Sequence, residues 1–255
     1  MRFIIYLILF LSLFKSSLAT MTVAHRGFTT DSVENTLGAI REAWIQEADA
    51  VEVDIQILKD GELVLFHDKK ISGVQIDTLD YDQLQSIVGS YHVPTLEESL
   101  AEVPVSKSIL LDLKSETKEL SDALVTLLED DVFDFRVIIQ SSSLPLLANL
   151  KSRLPESFEY HYLTKLERTG ILRRNPSVRE IMAEVEGSGI TGISFKGRTF
   201  IDQKFVDAVR SEGLRFFIWT INEPNRIEHY LQLGVDGIIT DNPNASKEIG
   251  KDQTD

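Results

Sequence analysis

From residue 21 onward the chain alternates short apolar runs with amphipathic stretches, and this alternation restricts the fold more than any other feature. Runs at Thr22–Ala24, 50–56, Ile109–Leu113, Arg136–Gln140, Phe158–Leu163, Thr191–Phe195, Leu214–Thr220 and Asp236–Thr240 have strand length and composition. Helical spacing predicts helices over residues 32–47, 116–130, 143–152, 176–187, 201–212 and 223–232, and a last one from 243. An excursion, 57–94, follows the second strand and carries a short strand at 62–66. Alternating β and α units imply a parallel sheet, and eight of them at this length fit one α/β domain, a (β/α)8 TIM barrel with a small insertion after strand 2. A doubly wound open sheet is the structural rival. It would show a Gly-rich first βα turn, where this chain has His25-Arg26-Gly27-Phe28.

The first nineteen residues stand outside this pattern. Arg2 precedes the apolar run Phe3–Phe14, which is followed by Lys15 and by small residues at Ser17 and Ala19. That order matches a secretory signal peptide, 1–19, and predicts a secreted or cell-envelope protein whose barrel domain spans 20–255. An uncleaved N-terminal anchor and a start at Met21 are the alternatives; the apolar run is short for a membrane span, so no stable insertion of the mature chain is expected. With 255 residues, 43% of them hydrophobic, the chain can bury a large core, and it has no Cys for disulfides, thiolate metal sites or a Cys nucleophile. A net charge of −14 argues against nucleic acid and anionic membrane surfaces as partners, and it requires a local positive centre for any anionic substrate.

In such a barrel, functional groups collect at the C-terminal ends of the strands. Those ends carry His25 and Arg26, Glu52 and Asp54, Asp112 and Lys114, Gln140, Lys196, Trp219 with Asn222, and Asp241, with His67 after the short strand. Glu52 and Asp54, two apart in one strand, project from the same face. Clustered carboxylates are costly unless a cation neutralises them or they share a proton. With oxygen ligands only, one hard divalent cation, Ca2+ or Mg2+, is the natural occupant, and it would be the positive centre that an anionic substrate needs. Lys114 shares a face with Asp112 and can reach a phosphate beside the metal. Taken singly, each feature has a bland reading: a solvated edge strand for Glu52 and Asp54, polar caps for the histidines, an ion pair for Asp112 and Lys114, barrel packing for Trp219. Their joint occurrence favours a site. His92, His161 and His229 read as structural or surface residues, and Glu129-Asp130-Asp131 as a solvated helix end.

The ordered motifs Val23-Ala-His25-Arg26-Gly27, Glu34-Asn35-Thr36, Glu52-x-Asp54, His67-Asp68, Val93–Leu100, Leu111-Asp112-Leu-Lys114, Ile218–Asn222 and Gly234–Asp241 resemble the glycerophosphodiester phosphodiesterase family. The resemblance covers residues 21–248. It implies a metal-dependent TIM-barrel enzyme that cleaves small glycerophosphodiesters to sn-glycerol 3-phosphate and an alcohol. By position, His25 and His67 are then the general acid/base pair, and Glu52, Asp54 and Asp112 the metal ligands. Arg26 and Lys114 are the phosphate contacts, and Trp219 forms a wall against the glycerol side. The family picture has the glycerol 2-hydroxyl attack first and water open the resulting cyclic phosphate; the sequence is equally compatible with direct attack by water. Oligomeric state is open.

Three positions depart from the family pattern. Asp112 stands where Glu is usual and is one methylene shorter, which leaves room for a shifted ion, an added water ligand or weaker binding. Val33 replaces a Pro ahead of Glu-Asn-Thr. The segment Lys69–Asp77 is shorter than usual, which implies a more open mouth and broader tolerance of head group. Two alternatives remain: a relative that releases head groups from lysophospholipids, and a non-catalytic binding barrel.

Overall fold

The computed structural model describes residues 20–30, 32–129, 133–164, 177–198 and 200–252. The expected signal peptide, and Asp130 and Asp131 of the acidic run, lie outside the described residues. Eight parallel strands, β1 (Met21–His25), β2 (Ala50–Ile57), β6 (Ser108–Leu113), β7 (Arg136–Ser141), β8 (Glu159–Thr164), β9 (Gly192–Lys196), β10 (Arg215–Trp219) and β11 (Gly237–Thr240), pair in succession. Pairing of β1 with β11 closes the barrel. The short strand β3 (Leu63–Leu65) adds to β2 antiparallel, and β4 (Lys70–Ile71) with β5 (Val74–Gln75) forms a small hairpin beyond it. The open-sheet alternative is thereby excluded.

Alternation along the strands sorts side chains into two cores. Inward residues Val23, Ala50, Leu110, Ile138, Phe217 and Ile239 fill the middle of the barrel, and the outward residues pack against the surrounding helices. The register also shows the stagger that closure demands. The partner series Asp54, Asp112, Gln140, His161, Gly192 and Arg215 descends from the mouth to the base of the barrel. Gly192 is needed there: a Cβ would lie 2.4 Å from the buried His161 ring nitrogen Nε2. His161 is thus structural, as expected.

The helices are α1 (Leu37–Ile45), α2 (Tyr81–Val88), α3 (Leu96–Leu100), α4 (Lys118–Leu128), α5 (Leu144–Lys151), α6 (Val178–Val185), α7 (Gln203–Ser211), α8 (Pro224–Gln232) and α9 (Pro243–Asp252). The Val93–Leu100 motif has a plain physical role: Thr95 and Glu98 form a capping box that starts α3. One expectation is corrected. The helix predicted from residue 32 begins at Leu37, because Asn35 adopts a positive φ of 55° and Thr36 caps the Ala39 N–H. Residues 33–36 instead fold back toward the barrel mouth, with the Asn35 N–H donating to the Arg26 carbonyl at 3.0 Å. Among the described residues no helix is long and apolar enough to cross a membrane.

Candidate active site

The turn after β1 shapes one side of the mouth. Arg26 and Gly27 both have positive φ, 57° and 87°, a region that a side-chain-bearing residue occupies at some cost. Gly27 carries no Cβ because one would lie 2.6 Å from the Ala39 carbonyl carbon of α1. The turn aims the Arg26 backbone N–H at Glu52, donating to Oε2 at 2.9 Å.

Glu52 and Asp54 are not on a solvated edge. They are 1% and 0% exposed and lie in a strand bordered by β1, β3 and β6, while Asp112, the register partner of Asp54, is 5% exposed. Each of the three offers a carboxylate oxygen within 4.8 Å of the other two. Lys114 Nζ sits 2.5 Å from Asp112 Oδ2 and 2.8 Å from Asp54 Oδ1. Arg26 Nε lies 2.9 Å from Asp54 Oδ2, and its Nη1 donates at 2.8 Å to both oxygens of Glu34. The Asn35 amide makes a reciprocal pair with Asp54, donating from Nδ2 to Oδ2 at 2.8 Å and accepting the Asp54 N–H on Oδ1 at 3.0 Å.

These contacts split the three carboxyls. Burial would raise Asp54, but Lys114 and Arg26 outweigh it and hold Asp54 below its usual value. Burial, against the opposing pull of Lys114, raises Asp112. Burial and then the Asp54 charge push Glu52 up to about 8. Burial would lower Lys114, but the surrounding carboxylates, Asp112 first, raise it.

The cluster fits a hard cation on three counts. Glu52, with a backbone N–H as its short-range partner, keeps its proton near neutral pH, which marks a surplus of negative charge over the two cations present. Asp54 Oδ1 is buried and accepts no well-formed hydrogen bond even with Lys114 beside it. All donors are carboxylate oxygens, the chemistry that suits hard divalent ions.

The two histidines approach this cluster from different elements. His25 ends β1 and pairs in register with Glu52. Its Nδ1 lies 2.6 Å from Asp241 Oδ1, and Asp241 Oδ2 accepts from Asn222 Nδ2 at 2.5 Å. Burial would lower the His25 pKa, but Asp241 and Glu52 more than offset it and leave it raised. β3 runs antiparallel to β2 and so brings His67 back down toward the mouth. The Phe66 N–H donates to the Asp54 carbonyl at 2.9 Å, Gln56 Nε2 donates to the carbonyls of His67 and Asp68, and His67 Nδ1 lies 2.8 Å from Asp68 Oδ1. Both imidazoles, with Arg26, Glu52, Asp112, Lys114 and Trp219, line a single cavity of about 820 Å3. Trp219 donates from Nε1 to the Ser194 carbonyl at 3.3 Å, and Lys196 Nζ lies 5.9 Å from its ring centre.

All eight site residues expected from the sequence therefore meet at one mouth, seven lining the cavity and Asp54 beneath it. Arg26 and Lys114, expected as phosphate contacts, are also the counter-charges of the carboxylates. Two supports escaped the sequence reading, the Asp241 hold on His25 and the Asn35 hold on Asp54. The first was visible only as an acid at the end of the last strand, the second as an Asn ahead of a helix start.

A closed (β/α)8 barrel thus holds, at one mouth, an acidic cluster suited to a cation and two oriented imidazoles able to exchange protons, the groups that metal-assisted hydrolysis uses. Residues 25–245 match the glycerophosphoryl diester phosphodiesterase family, and the chain belongs to it; it is a phosphoric diester hydrolase. A glycerophosphodiester phosphodiesterase of Bacillus altitudinis is 25% identical over 90% of this chain and 98% of its own length. A lysophospholipase D of Rattus norvegicus is 24% identical, covering 89% and 85% respectively. Among solved structures, an Oleispira antarctica phosphodiesterase in complex with the product sn-glycerol-3-phosphate superposes with a TM-score of 0.76 at 23% identity, over 91% of this chain and 97% of that one.

Proposed function

We propose that this enzyme hydrolyses small glycerophosphodiesters to sn-glycerol 3-phosphate and an alcohol by general acid/base catalysis with two histidines beside one divalent cation, Ca2+ or Mg2+. The observation that carries the reading is the meeting of His25 and His67 with the buried Glu52, Asp54 and Asp112 cluster at one cavity. When bound, the cation supplies positive charge to the phosphoryl oxygens as negative charge builds on them. Glu52, Asp54 and Asp112 would hold it.

The chain's own groups account for the rest. Asp241 accepts from His25 Nδ1 and Asp68 from His67 Nδ1, which leaves Nε2 of each ring to exchange protons. One imidazole takes the proton of the attacking hydroxyl, and the other delivers a proton to the departing alkoxide. Arg26 and Lys114 line the cavity and add positive charge at the phosphate, while Trp219 gives the glycerol moiety a flat wall. Of the two routes these groups can serve, attack by the glycerol 2-hydroxyl or directly by water, we take the first, in which water then opens the cyclic phosphate and the two imidazoles exchange roles.

The test uses residues 20–255 and the Glu52→Ala variant, assayed for glycerol 3-phosphate release from glycerophosphocholine and glycerophosphoethanolamine with chelator and then with Ca2+ or Mg2+. Activity lost to chelator, restored by one ion and absent in the variant supports the reading. Absence of release by the wild type with either ion defeats it. The likeness to a lysophospholipase D makes lysophospholipid the second substrate class to assay. The binding-barrel reading follows only if both classes fail. Residues 1–19 are proposed as a signal peptide, to be checked by N-terminal sequencing of the exported protein.

A further inference from the structure

Gln140 sits in the same inward layer as the carboxylate cluster, on β7 beside its register partner Asp112. It is 2% exposed and lines the cavity, yet its Oε1 has no hydrogen-bond partner. No neighbouring donor is placed to reach it. Asp112 accepts from Lys114, whose ammonium is turned toward Asp112 and Asp54, and His161, the other register partner of Gln140, turns Nε2 toward Glu159 in the layer below and leaves its own Nδ1 unpartnered. A buried amide oxygen with no donor is rare, and at the wall of a substrate cavity a ligand hydroxyl can supply the missing bond.

The chemistry of a glycerophosphodiester narrows the choice. The diester phosphate is a monoanion with acceptor oxygens only, so it cannot donate to Gln140. A quaternary ammonium head group has no N–H. The glycerol moiety carries two hydroxyls, donors common to every substrate of the class. The amide is also neutral, so it can stand beside an anionic substrate where a carboxylate would repel it. Resting on the proposed reaction, in which the 2-hydroxyl gives its proton to an imidazole, the terminal hydroxyl is the one left to be recognised.

We infer that Gln140 is a specificity-determining residue whose amide oxygen accepts the terminal hydroxyl of the glycerol moiety and so selects glycerol esters over deoxy analogues.

The test pairs a change in the protein with a change in the substrate. Glycerophosphoethanolamine is compared with the propane-1,2-diol phosphoethanolamine ester, which keeps the vicinal hydroxyl and lacks the terminal one. The wild type should favour the glycerol ester in kcat/KM by roughly 10- to 100-fold, the worth of one hydrogen bond whose buried acceptor is otherwise unpaired. Gln140→Met, similar in volume without the amide, and Gln140→Ala should bring the ratio to about 1–3. A general packing defect lowers both rates together and leaves the ratio high. Titration of the metal-loaded protein with glycerol 3-phosphate and propane-1,2-diol 1-phosphate should give the same pattern in Kd without turnover. Equal rates on both esters in the wild type, or a full ratio in both variants, overturn the assignment alone. A wild type that cleaves neither ester overturns the phosphodiesterase reading and the assignment with it.

Discussion

Nδ1 of His25 lies 2.6 Å from Oδ1 of Asp241, across 216 residues of sequence and the seam where the last strand closes on the first. The carboxylate fixes the ring's tautomer and orientation and raises its pKa. Asp241 is in turn held by Asn222 through Oδ2 and through its own N–H, which donates to Asn222 Oδ1 at 2.9 Å. Replacing it by Asn should lower kcat on the order of 100-fold, since an amide can favour the wrong tautomer. Loss of the carboxylate also lowers the His25 pKa, so whichever limb of the pH–rate profile His25 governs should move to lower pH. A profile unchanged in Asp241→Asn would refute this role.

Asn35 grips Asp54 by both its side chain and its backbone. Asn35→Ala leaves Asp54 in place on β2 with one oxygen less restrained. The cation concentration for half-maximal activity should rise about 10- to 100-fold, the usual consequence of losing a partner that orients a metal ligand. Activation curves for the two proteins decide it; superimposable curves would show that the amide only shapes the turn.

Proton and cation compete for Glu52. With the carboxyl pushed up to about 8 by burial and by Asp54, metal-free protein carries this proton at pH 6 and 7, and cation binding must release it. Apparent affinity should therefore climb by about tenfold per pH unit from pH 6 to 8 for one proton displaced, then level off. Calorimetry in buffers of different ionisation enthalpy counts the proton directly. An affinity that stays flat over that range excludes a protonated Glu52.

At the other end of the barrel, Glu159 takes both oxygens to Arg215 Nη1, at 3.0 and 2.8 Å, and lies 3.3 Å from Arg136 Nε and from His161 Nε2. Burial alone would raise its pKa, but His161 and Arg215 hold it at about 2 against an ordinary 4.5. The depressed value means that Glu159 stabilises the fold above pH 4.5 and loses that contribution as pH falls from 4.5 toward 2. In urea titrations the stability gap between wild type and Glu159→Gln should hold steady above pH 5 and shrink below it. A gap independent of pH from 3 to 6 would contradict the assignment.

Nearby, Gly192→Ala drives a methyl group into the His161 ring, since the added Cβ would lie 2.4 Å from Nε2. Overpacking of this kind costs about 1–3 kcal/mol. Combining it with His161→Ala should recover part of the loss, so the two effects should be less than additive in a double-mutant cycle. Full additivity would mean that the glycine serves the backbone rather than the ring.

The strands were legible because their signal is local. Val51, Val53 and Ile55 alternate with Glu52 and Asp54 along one strand, and a period of two places both acids on one face before any contact is known. The same holds for Asp112 with Lys114 and for the strand-end positions of His25 and Trp219. The start of α1 was not legible, because the helical spacing of residues 32–47 competes with contacts that reach outside it. Asn35 leaves the helix to bond Asp54, and Thr36 becomes the cap.

What the sequence by itself determined, then, is the order of elements and the face each polar residue occupies, since both follow from short-range periodicity and sterics. Only the closed barrel decided how those faces combine. The stagger of the strands sets Asp54 beside Asp112 at the mouth and sends His161 below. Closure of β11 on β1 brings Asp241 to His25. Burial, which exists only once the barrel has closed, separates a protonated Glu52 from an ionised Asp54 two residues away in the same strand.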